Sequence, residues 1–88
     1  MNYALERRAR RLLCRAVRTN TLSAGDTRRM EYWKELQGRQ YYFTNYDCES
    51  CMTSLLRNLK FPVDELTSVQ RVGIGRDFFT KYLPSIRI

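Results

Sequence analysis

At 88 residues, 43% hydrophobic and 12% aromatic, the chain has the composition of one small folded domain, which excludes a disordered basic tail. Sixteen bases against nine acids give a net charge of +7, and thirteen of the sixteen are arginine, the side chain that forks onto phosphate and carboxylate. Histidine is absent, so the usual general base near neutral pH is missing and catalysis is not expected. No run approaches the ~18 apolar residues of a membrane span, no signal peptide is visible, and three cysteines do not suggest a secreted disulfide framework. These features point to an intracellular, cytoplasmic or otherwise reducing setting.

The charge is uneven. Residues 1–18 carry six arginines and a single acid, Glu6. At ~100° per residue, Leu5, Ala9, Leu12, Leu13, Ala16 and Val17 share one face of a helix expected from about Tyr3 to Arg18. Arg7, Arg8, Arg10, Arg11, Arg15 and Arg18 fill the other. Thr19-Asn20-Thr21 ends that helix, and Ser23 with Asp26 forms the start of a second, which runs to about Gln37 with Gly38 as its C-cap. Met30, Trp33 and Leu36 recur at helical spacing and are expected in the core.

Gln40 to Tyr46 holds Tyr41, Tyr42, Phe43 and Tyr46 and reads as a strand. Its backbone groups need partners, supplied by residues 85–88, by a preceding strand over Tyr32–Leu36 in a small hairpin, or by a second molecule in a homodimer. Asp47 is placed as N-cap of a third helix, Cys48 to Lys60, whose apolar face is Cys51, Met52, Leu55, Leu56 and Leu59. A fourth helix is expected over Val63–Val72, with Leu66 and Val69 turned inward. After Gly73-Ile74-Gly75 a short fifth carries Phe78, Phe79, Tyr82 and Leu83 up to Pro84. The expectation is a compact, mainly α single domain over residues 1–88, with four to five short helices and one aromatic-rich strand or small hairpin around 40–46.

Residues 66–83, about a fifth of the chain, contain Val72-Gly73-Ile74-Gly75, and the stretch resembles a helix–hairpin–helix motif. The resemblance implies a tight glycine turn whose open N–H groups grip a nucleic-acid phosphate without reading sequence. Gly73 and Gly75 would form the cradle, with Arg71, Arg76 and Lys81 adding charge. Asp77 and Phe79 depart from the family pattern.

Cys48-Glu-Ser-Cys51 stands at a helix start, where the dipole would lower a thiol pKa, and so offers a redox site. Three cysteines without histidine fall short of a zinc site, so neither a metal nor another cofactor is expected. Cys14 falls on the arginine face. The aromatic run at 41–46 pairs core residues with partner contacts or with stacked bases, Arg39 standing beside it. Taken together, these residues describe a small non-catalytic binding protein. Its arginine helix meets DNA or RNA backbone, or docks as an adaptor or assembly factor on an acidic protein surface; a thiol redox protein is the third reading.

Overall fold

Residues 2–87 are described by a computed structural model, and four α-helices dominate them. They are α1 (Tyr3–Arg18), α2 (Ala24–Gly38), α3 (Asn45–Asn58) and α4 (Ser68–Asp77). A 3₁₀ turn, Val63–Glu65, precedes α4; a π-helical turn, Phe78–Tyr82, and a 3₁₀ turn, Leu83–Ser85, continue it. No strand occurs among the described residues.

Most of the apolar spacing carries over into the core, but Leu12, Leu36, Cys51 and Leu59 are only half-buried at its margin, and Val69, expected to turn inward, is exposed. Leu5, Ala9 and Leu13 of α1, Met30 and Trp33 of α2, and Cys48, Met52, Leu55 and Leu56 of α3 are buried in one cluster. α4 and its continuation add Ile74, Phe78, Phe79 and Leu83. Aromatic rings fasten the centre. Phe43 stacks on Phe79 with centroids 3.9 Å apart, and Trp33 meets Phe79 edge-on at 5.4 Å.

Helix starts follow local hydrogen-bond chemistry. The Ser23 hydroxyl accepts from the Asp26 N–H at 3.1 Å, as expected. Asp26 itself is buried, and its carboxylate accepts from Asn58 and Arg29, which ties the start of α2 to the end of α3. α3 starts earlier than the sequence suggested. Thr44, not Asp47, is its N-cap, and Asp47 is the third residue of a reciprocal capping box. Burial raises the Asp47 carboxyl, but hydrogen bonds from the Thr44 backbone, the Tyr41 hydroxyl and the Thr44 side chain outweigh it and leave it below its ordinary value.

That capping box explains why the expected strand at 40–46 does not form. Residues 41–44 are a short link with two N–H groups bonded nearby: Tyr41 N–H donates to the Leu36 carbonyl, and Thr44 N–H to the Asp47 carboxylate. The Phe43 carbonyl accepts from Arg76. Lys34 occupies the carbonyls of Leu83, Pro84 and Ile86, so residues 85–87 make no ladder either; Ile88 lies outside the described residues. A hairpin over Tyr32–Leu36 is likewise ruled out, because those residues are in α2. Without a strand, the proposed route to a homodimer through 40–46 is gone.

Three helices end in the same way, and none uses glycine for it. Asn20, Gln40 and Lys60 sit at φ 57, 65 and 65, each in the left-handed position after a helix, with the paired back-bonds of a Schellman motif. Gly38, expected to cap α2, is its last helical residue instead. A side chain in this conformation costs free energy that glycine avoids. Gln40→Gly should therefore raise stability by about 0.5–1 kcal/mol after its larger unfolded-state entropy is offset, measured by denaturant midpoint.

The C-terminal third differs most from expectation. Val63–Glu65 is only a 3₁₀ turn, and α4 starts afresh at a capping box of Thr67 and Gln70. Gly73 and Gly75 lie inside α4, neither with positive φ, so the glycine hairpin turn is absent and no separate fifth helix begins after it. The π turn then widens the helix, with Leu83 N–H donating to the Phe78 carbonyl, and both adjacent rings, Phe78 and Phe79, face the core.

Candidate nucleic-acid interface

α1 is a two-faced element. Asn2 Oδ1 caps its start by accepting from the Leu5 N–H at 3.0 Å, and Leu5, Ala9, Leu13 and Ala16 are buried. Two of these four are alanines, so the helix lies close to the core. Leu12 and Val17 are half-buried at its margins.

The arginine face divides on inspection of its partners. Arg10 is half-buried; it bonds Glu6 at 3.2 Å and pairs with Asp77 of α4. Arg10 thus holds two elements together, and together with Lys81, 3.8 Å away, it neutralises Asp77. Arg7, Arg8, Arg11, Arg15 and Arg18 are all exposed and join none of the ion pairs among the described residues. These five stand at i,i+3 and i,i+4 spacing in four neighbouring pairs. Like charges so placed oppose the helix by about 0.2–0.5 kcal/mol per pair, so an anion that bridges them relieves roughly 1–2 kcal/mol.

Two open grooves border this face. One, of about 310 Å³, is lined by Arg8, Arg11, Leu12, Arg15 and Phe61. The other, of about 230 Å³, is lined by Arg10, Arg11, Cys14, Arg15, Arg18 and Tyr82. Arg11 and Arg15 belong to both and form the ridge between them. Phe61 and Tyr82 were not marked as site residues by the sequence, because only the tertiary fold carries the end of α3 and the π turn to α1.

The second site expected at Arg71, Gly73, Gly75 and Arg76 does not assemble. Arg71 donates to the carbonyls of Val63 and Leu66 and pairs with Glu49 at 3.6 Å, which pins the 3₁₀ turn. Arg76 donates to the Phe43 carbonyl and Asn45 Oδ1 and covers the Tyr42 ring at 5.2 Å, which pins the 41–44 link. Gly73 and Gly75, inside a helix, have no open N–H cradle. Gly75 instead meets α3: a Cβ there would lie 2.8 Å from the carbonyl carbon and Cβ of Cys48 and closer still to its oxygen.

Cys48 is buried and Cys51 half-buried, both as free thiols. Burial pushes the Cys48 thiol up, and pushes Cys51 up to about 11, with Asp47 and Cys48 adding to the shift. The helix start does not compensate. At pH 7.5 a neutral alkylating agent should label Cys14 first, while Cys51 reacts slowly and Cys48 only on unfolding; early labelling of Cys51 would contradict this arrangement. The folded Cys51 value lies above the ordinary 9.0, so the unfolded chain loses that proton first as pH rises. Stability is retained below about pH 9 and should decline between there and about 11, visible as a falling Tm.

Among the described residues no helix is long and apolar enough to cross a membrane, and no group of three or more metal-ligating side chains converges. The fold and face define an all-α single domain that presents one exposed, unpaired arginine surface. Comparison with protein-family models, with curated proteins and with solved structures finds no match.

Proposed function

We propose that this domain is a non-catalytic nucleic-acid-binding protein whose α1 holds the sugar-phosphate backbone through Arg7, Arg8, Arg11, Arg15 and Arg18. What carries the reading is that these five exposed guanidiniums join no ion pair among the described residues, while every other arginine of the expected site is engaged internally. Arginine forks fit phosphate oxygens with two hydrogen bonds each. The exposed residues of α1 are otherwise Tyr3 and Ala4, so guanidinium groups make up nearly all of its polar exposed surface. Three free thiols suit a reducing, intracellular compartment.

Fluorescence-anisotropy titration of labelled single-stranded and duplex DNA and RNA at two salt concentrations tests it. Log affinity should fall linearly with log salt, with a slope of about 0.7–0.9 per phosphate contact. No binding below ~10 μM at low salt, where phosphate contacts are strongest, refutes the proposal.

An acidic protein partner is the second reading, favoured by one observation. Tyr32 and Tyr41 are exposed at the wall of a hollow that Trp33, Leu36, Phe43, Asp47 and Cys51 complete, and Tyr42 and Tyr46 are exposed elsewhere on the surface, the aromatic composition of protein contacts. An adaptor of this kind would bind no nucleic acid in the titration above.

A further inference from the structure

The shape of the arginine face bears on which nucleic acid it takes. We propose that α1 is built for a single strand: phosphates lie on the Arg11–Arg15 ridge, and unstacked bases enter the grooves on either side, one of them against Tyr82. This rests on the phosphate-binding function proposed above and narrows it to a substrate class.

Four observations converge. Arg11 and Arg15 line both grooves, and one helical step of four residues separates them by about 6 Å along the axis. That separation is comparable with the step between neighbouring phosphates of an extended strand. Arg8 stands in one groove and Arg18 in the other, so each hollow has a cation of its own besides the shared pair. The larger groove, about 310 Å³, has Leu12 and Phe61 among its walls, which gives a base an apolar surface to cover.

The smaller groove offers a ring. Tyr82 is 37% exposed although its neighbours Phe78, Phe79 and Leu83 are fully buried. Its backbone is held by the π turn and by the Ser85 hydroxyl, which donates to the Tyr82 carbonyl at 2.8 Å. The ring thus stands at the wall of a cationic groove on a hydrogen-bonded turn, and an aromatic ring beside a cationic groove is the combination that stacks bases in single-strand binders. A duplex keeps its bases paired and stacked inside, so it can use the ridge and neither groove. Charge alone would favour the duplex, whose phosphates are denser. A preference for single strands therefore has to come from the grooves.

The test compares three probes on the intact chain at about 50 mM salt: a labelled 12-nucleotide oligothymidine, the same length as duplex, and a 12-unit abasic strand. The base-bearing single strand should bind at least tenfold tighter than either of the others. Tyr82→Leu should weaken it about tenfold and leave the salt slope and duplex binding unchanged, as loss of one base stack requires. A duplex or abasic strand that binds as tightly as oligothymidine overturns the proposal, as does a folded Tyr82→Leu variant with unaltered single-strand affinity. The abasic comparison decides alone if that variant does not fold. Failure of all three probes to bind is a separate result, which removes the phosphate-binding function and this proposal with it.

Discussion

Gly75→Ala should destabilise the domain by about 2–3 kcal/mol, while Gly73→Ala, two residues away in the same helix, should stabilise it by about 0.5–1 kcal/mol. The two glycines face different surroundings. A methyl group at position 75 would press on the Cys48 backbone, which cannot move without shifting α3 against α4. At position 73 it would approach nothing nearer than the tip of the Arg10 side chain at 3.9 Å, and α4 gains alanine's better helix propensity. Urea denaturation of the two single variants checks both signs at once. A glycine turn of the helix–hairpin–helix kind predicts something else, namely that both substitutions harm the fold and weaken phosphate binding together. Destabilisation by Gly73→Ala would show that the chain turns at this point rather than running through it.

Changing Arg8, Arg11 and Arg15 jointly to Gln should lower nucleic-acid affinity about 100-fold at low salt and reduce the salt slope by about 2–3, roughly 0.7–0.9 for each phosphate contact removed. The fold should survive, because these side chains join no ion pair among the described residues and their mutual repulsion disappears with them. Anisotropy at several salt concentrations measures the slope, and circular dichroism confirms the helix content. Arg10→Gln supplies the contrast. It breaks the pairs to Glu6 and Asp77, so its effect belongs in the melting temperature and not in the slope. Arg71→Gln and Arg76→Gln should behave like Arg10→Gln, since both side chains hold carbonyl oxygens of neighbouring loops. An unchanged slope in the triple variant would move the contact away from α1 altogether.

Parts of this protein are legible without coordinates because the forces involved act over one or two helical turns. The span of α1 and its division into faces follow from residue periodicity, and the start of α2 from the Ser23 hydroxyl and Asp26. The aromatic run at 40–46 misleads for a physical reason. The strand preference of Tyr and Phe describes a half-buried pleated surface, and here a link of four residues buries only Phe43 while Tyr41, Tyr42 and Tyr46 stay exposed. The decisive signal in that stretch was Thr44 followed three residues later by Asp47, a capping box that begins a helix before any strand can pair. Gly73-Ile74-Gly75 is ambiguous in the same way. Glycine serves both turns that need positive φ and helices that must approach closely, and nothing local tells the two apart.

From the amino-acid order alone come the helical class, the core face of each long helix and a charged face on α1 that its own segment cannot neutralise. Those properties depend on residues three or four apart. Only the tertiary structure decided which arginines are free. Asp77 reaches Arg10 across 67 positions, and the Phe43 carbonyl reaches Arg76 across 33. It also carried Phe61 and Tyr82 to the flanks of α1, turning a charged stripe into a ridge between two grooves. Ion pairing and concavity are relations between distant segments, and they exist only once burial of the apolar faces has brought those segments together.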